Sequence, residues 1–465
     1  MKNRKRILSL GLAVCCIVGS FSININKVSA AEYWPEQPEI ESPCAIVMEA
    51  STGTVLYEKN SHEQHYPASI TKIMTTLLAL ENSSLDETVT FSSNAIYDTM
   101  GSGIARDVDE QMTMEQCLYG VMLESANECA YAVAEHVGGT MEQFVDMMNE
   151  RATELGCTDT HFNNSHGLTD ENHYTSCYDM ALIAREAYKN ETFRIITSTP
   201  TYQIPPTNKH EEITYLQNHN EMLHAYKTRG QYLYEYCVGG KTGYTDAANS
   251  TLVTYAQKDG MTLICVIMNT ISPAQWTDSI ALYNYYFDNF GLYNVADNET
   301  RLDNGTVDTG SLNTNSAFVK LDADASIVLP KSADFMEAIP QIVYDNTSED
   351  VLATVQYTFA DHVVGGADIM STGVQADTFD FDNVENDNAT EAETKENHKI
   401  QINVKIIILV LLGLLALGVI IWLIKKLMDN VYIIKHKYFE KAQKDKRYKT
   451  IKKKYRSKRR KRRRK

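Results

Sequence analysis

Several patterns that would point to a function directly are missing from this chain. It has nine cysteines among 465 residues, seven of them after residue 30: Cys44, Cys117, Cys129, Cys157, Cys177, Cys237 and Cys265. The odd count and the lack of any Cys-x-x-Cys spacing argue against a zinc ribbon or a disulfide framework. Most stand in apolar company, as in Leu263-Ile264-Cys265-Val266-Ile267, and are expected to be small core residues. No His-Glu-x-x-His occurs, since His62-Glu63-Gln64-His65 is one residue short of that metalloprotease pattern. No internal repeat is present.

Acidic residues are scarce at both ends. The first 30 residues carry Lys2, Arg4, Lys5, Arg6 and Lys27 and no acid, and Lys425–Lys465 holds 21 Lys and Arg against Asp429, Glu440 and Asp445. With a total of −16, the intervening body is left at −39. A body so acidic repels nucleic acid, which confines any nucleic-acid reading to the tail.

Lys2 to Arg6, the apolar run Ile7 to Phe21 and then Val28-Ser29-Ala30 read as a signal peptide cleaved before Ala31. A lipoprotein reading centred on Cys15 fits less well, because Val14 precedes the cysteine. Ile406 to Ile424 is 19 residues without a charge, enough to span a bilayer core. The basic block follows at once, so the positive-inside rule predicts a cytoplasmic tail and an extracellular body. Anionic lipid is the tail's expected partner, rather than nucleic acid.

Between these ends the chain reads as α+β. Ala45–Met48 and Thr54–Tyr57 flank Ser51-Thr52-Gly53 as a hairpin, and Ser250–Tyr255 and Met261–Met268 flank Lys258-Asp259-Gly260 as another. Helices are expected from Pro67 to Leu80, Met114 to Val137, Met141 to Leu155, Tyr178 to Tyr188 and Trp276 to Phe290. The division expected is a signal peptide over 1–30, a catalytic domain over 31–292 and a small β-rich domain over 293–373. An acidic linker over 374–404, a transmembrane helix over 405–425 and a basic tail over 426–465 would follow. The linker reading rests on eight acids between Val374 and His398.

Three short motifs carry the chemistry. In Ser69-Ile70-Thr71-Lys72 the serine and lysine are three residues apart and share one helix face, so the amine can reach the hydroxyl. A buried lysine near another cation loses its proton more easily and can then activate a serine for acyl transfer. Alone, the motif also fits a helix cap with a solvent-facing lysine. Ser125-Ala126-Asn127 offers a hydroxyl to relay a proton and an amide to hold a peptide carbonyl, unless it is only another cap. Lys241-Thr242-Gly243 offers a charge and a hydroxyl to a carboxylate, and a glycine where substrate backbone must lie close.

In this order the motifs resemble those of penicillin-binding proteins and serine β-lactamases. The surrounding text is most similar to the low-molecular-mass D-alanyl-D-alanine carboxypeptidases. It comprises Pro67-Ala68-Ser69-Ile70-Thr71-Lys72-Ile73-Met74-Thr75, Glu124-Ser125-Ala126-Asn127-Glu128, Asn164-Ser165-His166-Gly167-Leu168 with Asn172-His173-Tyr174, and Gly239-Gly240-Lys241-Thr242-Gly243-Tyr244-Thr245. The resemblance spans Ser42 to Phe290 and implies the family's transpeptidase fold, an antiparallel sheet flanked by helices. It also implies Ser69 as nucleophile, Lys72 as base and Ser125 as proton relay. Asn127, Lys241, Thr242, Gly243 and Tyr244 are implied as substrate-binding, with the N–H groups of Ser69 and Tyr244 as oxyanion hole. Peptidoglycan stem peptides and β-lactams are the implied ligands, with no cofactor. His166 and His173 fall in the family's loop text, which favours a structural role for them over a metal cluster with His161. One departure stands out: relatives place an arginine for the substrate carboxylate where this chain has Gln275, and Lys227 or Arg229 could substitute.

The rival readings are a β-lactamase, for which Glu171 is the loop carboxylate, a D,D-endopeptidase, and a non-catalytic wall scaffold. The intact Ser69, Lys72, Ser125, Asn127 and Lys241 argue against the scaffold.

Overall fold

A computed structural model describes residues 33–302, 319–344 and 351–372. The signal peptide, acidic linker, transmembrane helix and basic tail all lie outside the described residues. No helix among the described residues is long and apolar enough to cross a membrane. The chain divides into two compact units, Met1–Thr378 and Phe379–Lys465, and every described residue belongs to the first.

The centre of that unit is a five-stranded antiparallel sheet. Its spatial order is Val55–Lys59, Cys44–Glu49, Met261–Thr270, Asn249–Lys258 and Cys237–Thr245. The two expected hairpins supply four of the five strands, and Cys237–Thr245 is the edge beyond the second. Gly53 turns the first at φ +74°, and Asp259 and Gly260 turn the second at +52° and +81°, the paired positive angles that suit a tight hairpin.

Successive residues on a strand point to opposite faces, and here both faces are covered. Ile46, Met48, Ile264, Val266 and Met268 pack into a helical core built on Lys72–Asn82, Met114–Leu123, Asn127–Gly138 and Cys177–Lys189. Ala45, Val47, Leu263, Cys265 and Ile267 pack against the opposite layer, the helix Ala274–Asn289. Burial on both faces explains why Leu263 to Ile267 is apolar throughout rather than alternating.

Phe290–Asn294 leaves that last helix directly into a second, six-stranded sheet, running on through Ser326–Pro330, His362–Ser371, Val351–Phe359 and Ile339–Val343, with Val319–Leu321 paired to His362–Ser371. Ile327 and Leu329 face this sheet's own core, while Val328 on the same strand packs with the Ala274–Asn289 layer. Trp34 stacks on His362 and meets Phe290 edge-on, so the segment that precedes Cys44–Glu49 packs on this second sheet.

One expected helix is wrong in a way that matters. The Met114–Val137 segment is two helices, Met114–Leu123 and Asn127–Gly138, interrupted at Glu124-Ser125-Ala126. Ser125 sits at φ +61°, which no helix interior accepts.

Candidate active site

Ser69 lies on a 3₁₀ turn, Ala68–Thr71, which runs into the helix Lys72–Asn82. Residues three apart eclipse one another on such a turn, so Lys72 falls directly beside Ser69. The Lys72 amine is 3.1 Å from Ser69 Oγ, donates to Asn127 Oδ1 at 2.7 Å and also donates to the His166 carbonyl. Lys72 is wholly buried, and that burial, together with the charge of Lys241, pushes its pKa well below the usual lysine range. A neutral amine has two N–H donors and one lone pair. With Asn127 and His166 taking the donors, the lone pair faces Ser69, whose hydroxyl can then donate to it.

The turn is held from several sides. The Asn163 N–H donates to His173 Nδ1 at 2.9 Å, so His173 Nε2 carries the proton and donates to Thr71 Oγ1 at 2.8 Å. Thr71 Oγ1 in turn donates to the Ala68 carbonyl at 2.9 Å. Burial lowers both His166 and His173 to about 3, so both are neutral near pH 7. Gly167 closes against the same carbonyl; a Cβ there would stand 1.9 Å from Ala68 O. His161 bonds instead to the Asn172 carbonyl, at 2.6 Å.

Ser125 occupies the break between the two helices, and its Oγ is buried without a hydrogen-bond partner. A strained residue holding an orphaned hydroxyl in a cleft is the pattern that catalytic groups show. Asn127 opens the second helix, and its amide is committed at both ends, to Lys72 and, through Nδ2, to the Met100 carbonyl. It therefore positions the lysine, and it reaches a substrate carbonyl only if Met100 gives way.

Lys241, Thr242, Gly243 and Tyr244 run along the edge strand Cys237–Thr245 beside the Ser69 turn. Lys241 is 1 % exposed; its amine donates to the Thr242 carbonyl at 2.9 Å, and burial lowers its pKa to about 7. Ser69, Ser125, Thr242, Gly243 and Tyr244 line one cleft of about 670 Å³. Lys72, Asn127 and Lys241 sit behind its wall. Glu171 lies elsewhere, in a pocket of about 340 Å³ that none of the motif residues line.

Gln275 does line the cleft, with its Oε1 buried and unpartnered and its Nε2 donating to Ser272 Oγ at 3.2 Å. Of the two cations expected to stand in for an arginine, Lys227 lines the cleft and Arg229 does not. Two of the cleft residues outside any motif bear on the site. Glu221 is buried and accepts from the N–H groups of Lys227 and Thr228 and the Thr228 hydroxyl, fixing the loop that carries Lys227. His219 is bonded to Glu124 Oε2 at 2.9 Å.

The family model described as D-alanyl-D-alanine carboxypeptidase, Peptidase S11, matches residues 31–272. The chain is similar to D-alanyl-D-alanine carboxypeptidase DacF of Bacillus subtilis, with 37 % identity over 50 % of this chain and 59 % of the relative. It is similar to the D-alanyl-D-alanine carboxypeptidase of Streptomyces sp. strain K15, with 32 % identity over 54 % of this chain and 89 % of that protein. The crystal structure of the Streptomyces K15 DD-transpeptidase superposes with a TM-score of 0.50 at 31 % identity, covering 55 % of this chain and 100 % of that one.

Proposed function

Because the chain belongs to the D-alanyl-D-alanine carboxypeptidase family, we propose that it is a serine-type hydrolase that removes the terminal D-alanine from peptidoglycan stem pentapeptides. The observation that carries this reading is the buried Lys72 amine, its pKa lowered by burial and by Lys241, 3.1 Å from Ser69 Oγ behind the wall of a cleft edged by Thr242 and Gly243. Ser69 Oγ gives its proton to Lys72 and attacks the carbonyl between the two D-alanines. The N–H groups of Ser69 and Tyr244 hold the oxyanion. As the C–N bond breaks, the proton passes through the unpartnered Ser125 hydroxyl to the departing amine. Water then releases the shortened peptide from Ser69. Incubation with a pentapeptide ending in D-Ala-D-Ala tests this: free D-alanine is expected, and penicillin should leave an adduct on Ser69. A chain that releases no D-alanine, or a label that survives Ser69→Ala, would sink the reading. A β-lactamase would show the same adduct but shed it quickly, and Glu171, placed outside the cleft, speaks against that reading. Release of D-alanine would separate the hydrolase from a wall scaffold.

Carboxylate recognition is weaker than an arginine would make it. Arginine brings a forked, permanent charge, and a charge-assisted hydrogen bond contributes about 1.5–3 kcal/mol. Gln275 brings a neutral amide whose oxygen, an acceptor, already lacks a donor. The expected result is that Gln275→Arg raises kcat/KM for a free-acid peptide relative to its C-terminal amide by about tenfold or more. Equal discrimination by both proteins would remove Gln275 from the carboxylate site.

We further infer that the body is exported and anchored through Ile406–Ile424, with the basic tail in the cytoplasm. The uncharged 19-residue run and the basic block after it support this. Protease added to protoplasts should release the body and spare a tag placed after Lys465. Loss of the tag would reverse the topology.

A further inference from the structure

Two of the cysteines that follow residue 30 meet in the fold. Cys44 begins the strand Cys44–Glu49, and Cys177 begins the helix Cys177–Lys189 that packs on that sheet. Their sulfurs stand 2.7 Å apart, although 133 residues separate them in the chain. Neither is exposed. The imidazole of His65 lies beside Cys44, its Nε2 buried and without a hydrogen-bond partner. His65 also lines the pocket of about 340 Å³, with Gln64, Tyr66 and Tyr174; neither sulfur lines it, so His65 is the member of the cluster that meets that pocket.

We propose that Cys44, His65 and Cys177 form a peroxide-responsive site in which Cys44 is oxidised and Cys177 resolves it into a cross-link between sheet and helix. The two thiols are unequal, as such a site needs. The hydrogen bond from Cys177, aided by His65, lowers Cys44 to about 6, while burial raises Cys177 well above its ordinary value. A thiolate beside a protonated imidazole is the reactive form of cysteine. In the first step the Cys44 thiolate attacks one oxygen of hydrogen peroxide. An S–O bond forms, the O–O bond breaks, and hydroxide leaves to take up a proton as water. In the second step Cys177 sulfur attacks the sulfenic acid, forming S–S as the S–O bond breaks, with a second water released. Two thiols and one peroxide thus give one disulfide and two waters. A peroxide is small enough for this pocket.

The site is coupled to the cleft through the backbone. His65 and Thr175 exchange hydrogen bonds of 2.8 and 3.0 Å. From His65 the chain reaches Ser69 in four residues; from Thr175 it is two residues back to His173, which braces the Ser69 turn. The cross-link would fix the joint from which both segments leave.

The test is a thiol map of the purified full-length chain. After graded peroxide treatment, denaturation, alkylation and digestion, mass spectrometry should show Cys44 and Cys177 losing alkylation together. They should reappear as one linked peptide, lighter by two hydrogens than the separate thiol peptides and split by reductant. Cys117, Cys129, Cys157, Cys237 and Cys265 should stay alkylated. Cys177→Ser should instead trap a sulfenic acid on Cys44 that dimedone labels, and His65→Ala should slow the oxidation severalfold. If Cys44 keeps its alkylation at peroxide levels that oxidise a free cysteine peptide, the proposal fails. It fails equally if Cys44 links to another cysteine. Should the variants not fold, the wild-type map still decides.

Discussion

Lys72→Ala should slow acylation of Ser69 by about 10²–10⁴-fold, the range that a positioned general base supplies. Penicillin binding before the covalent step should change far less, because Lys72 does not line the cleft. The substitution leaves Asn127 Oδ1 and the His166 carbonyl each short of a donor, at about 1–3 kcal/mol apiece. It also removes an amine that burial already disfavours in its charged form, so a folded protein with a lowered melting temperature is expected. The pH profile separates a base from a structural lysine. In the wild type the neutral fraction of Lys72 grows as pH rises through its depressed pKa, so kcat/KM should climb on the acid side. Lys241 works the other way: it is charged below about 7 in the empty cleft and loses that charge above it, so binding of a free carboxylate should weaken there. Bound carboxylate favours the charged amine and raises its pKa, so the alkaline fall belongs to kcat/KM more than to kcat. Lys72→Ala should lose the acid limb and keep the alkaline one. Unchanged acylation in that variant would end the assignment of Lys72 as base.

What the sequence made legible was local. The Ser69–Lys72 spacing and the two hairpins each depend on residues close together in the chain, and each appears at its expected place. The break at Ser125 was hidden because apolar residues continue from Met114 to Val133 with nothing in Glu124-Ser125-Ala126 that forbids a helix; only the tertiary position of Ser125 selects φ +61°. Contacts across long separations were out of reach as well. His173 braces Thr71 from 102 residues away, and Cys44 meets Cys177 from 133. Reading the cysteines one by one as core residues was right for the burial of all but the partly exposed Cys157 and blind to that pairing. Gln275 is the intermediate case. Its place in the cleft follows from the helix start at Ala274, while its unpartnered oxygen emerges only when the surrounding wall is complete.

Gly243→Ala should lower kcat/KM by about 10²–10³-fold, comparable to removing one oxyanion donor. The cause is space, since this glycine has an ordinary extended backbone on its strand. A Cβ on Gly243 would stand 2.3 Å from Thr251 Oγ1, 2.8 Å from the Ser69 backbone nitrogen and 3.2 Å from Ala68 Cβ. The Thr251 hydroxyl cannot swing aside freely, because it donates to the Pro67 carbonyl at 2.9 Å. The turn cannot retreat either, with Gly167 packed on the Ala68 carbonyl and Thr71 and His173 behind it. Relief must come from the edge strand, which carries Tyr244 outward and widens the gap between the two N–H groups proposed to hold the oxyanion. Because Lys72 and Ser69 keep their contact, slow labelling by penicillin should persist at Ser69 while turnover collapses. Stopped-flow acylation beside a melting curve distinguishes this from simple unfolding: the expected loss of rate exceeds anything a shift of a few degrees explains. A Gly243→Ala protein that acylates at the wild-type rate would mean that the Ser69 and Tyr244 N–H groups do not form the oxyanion hole.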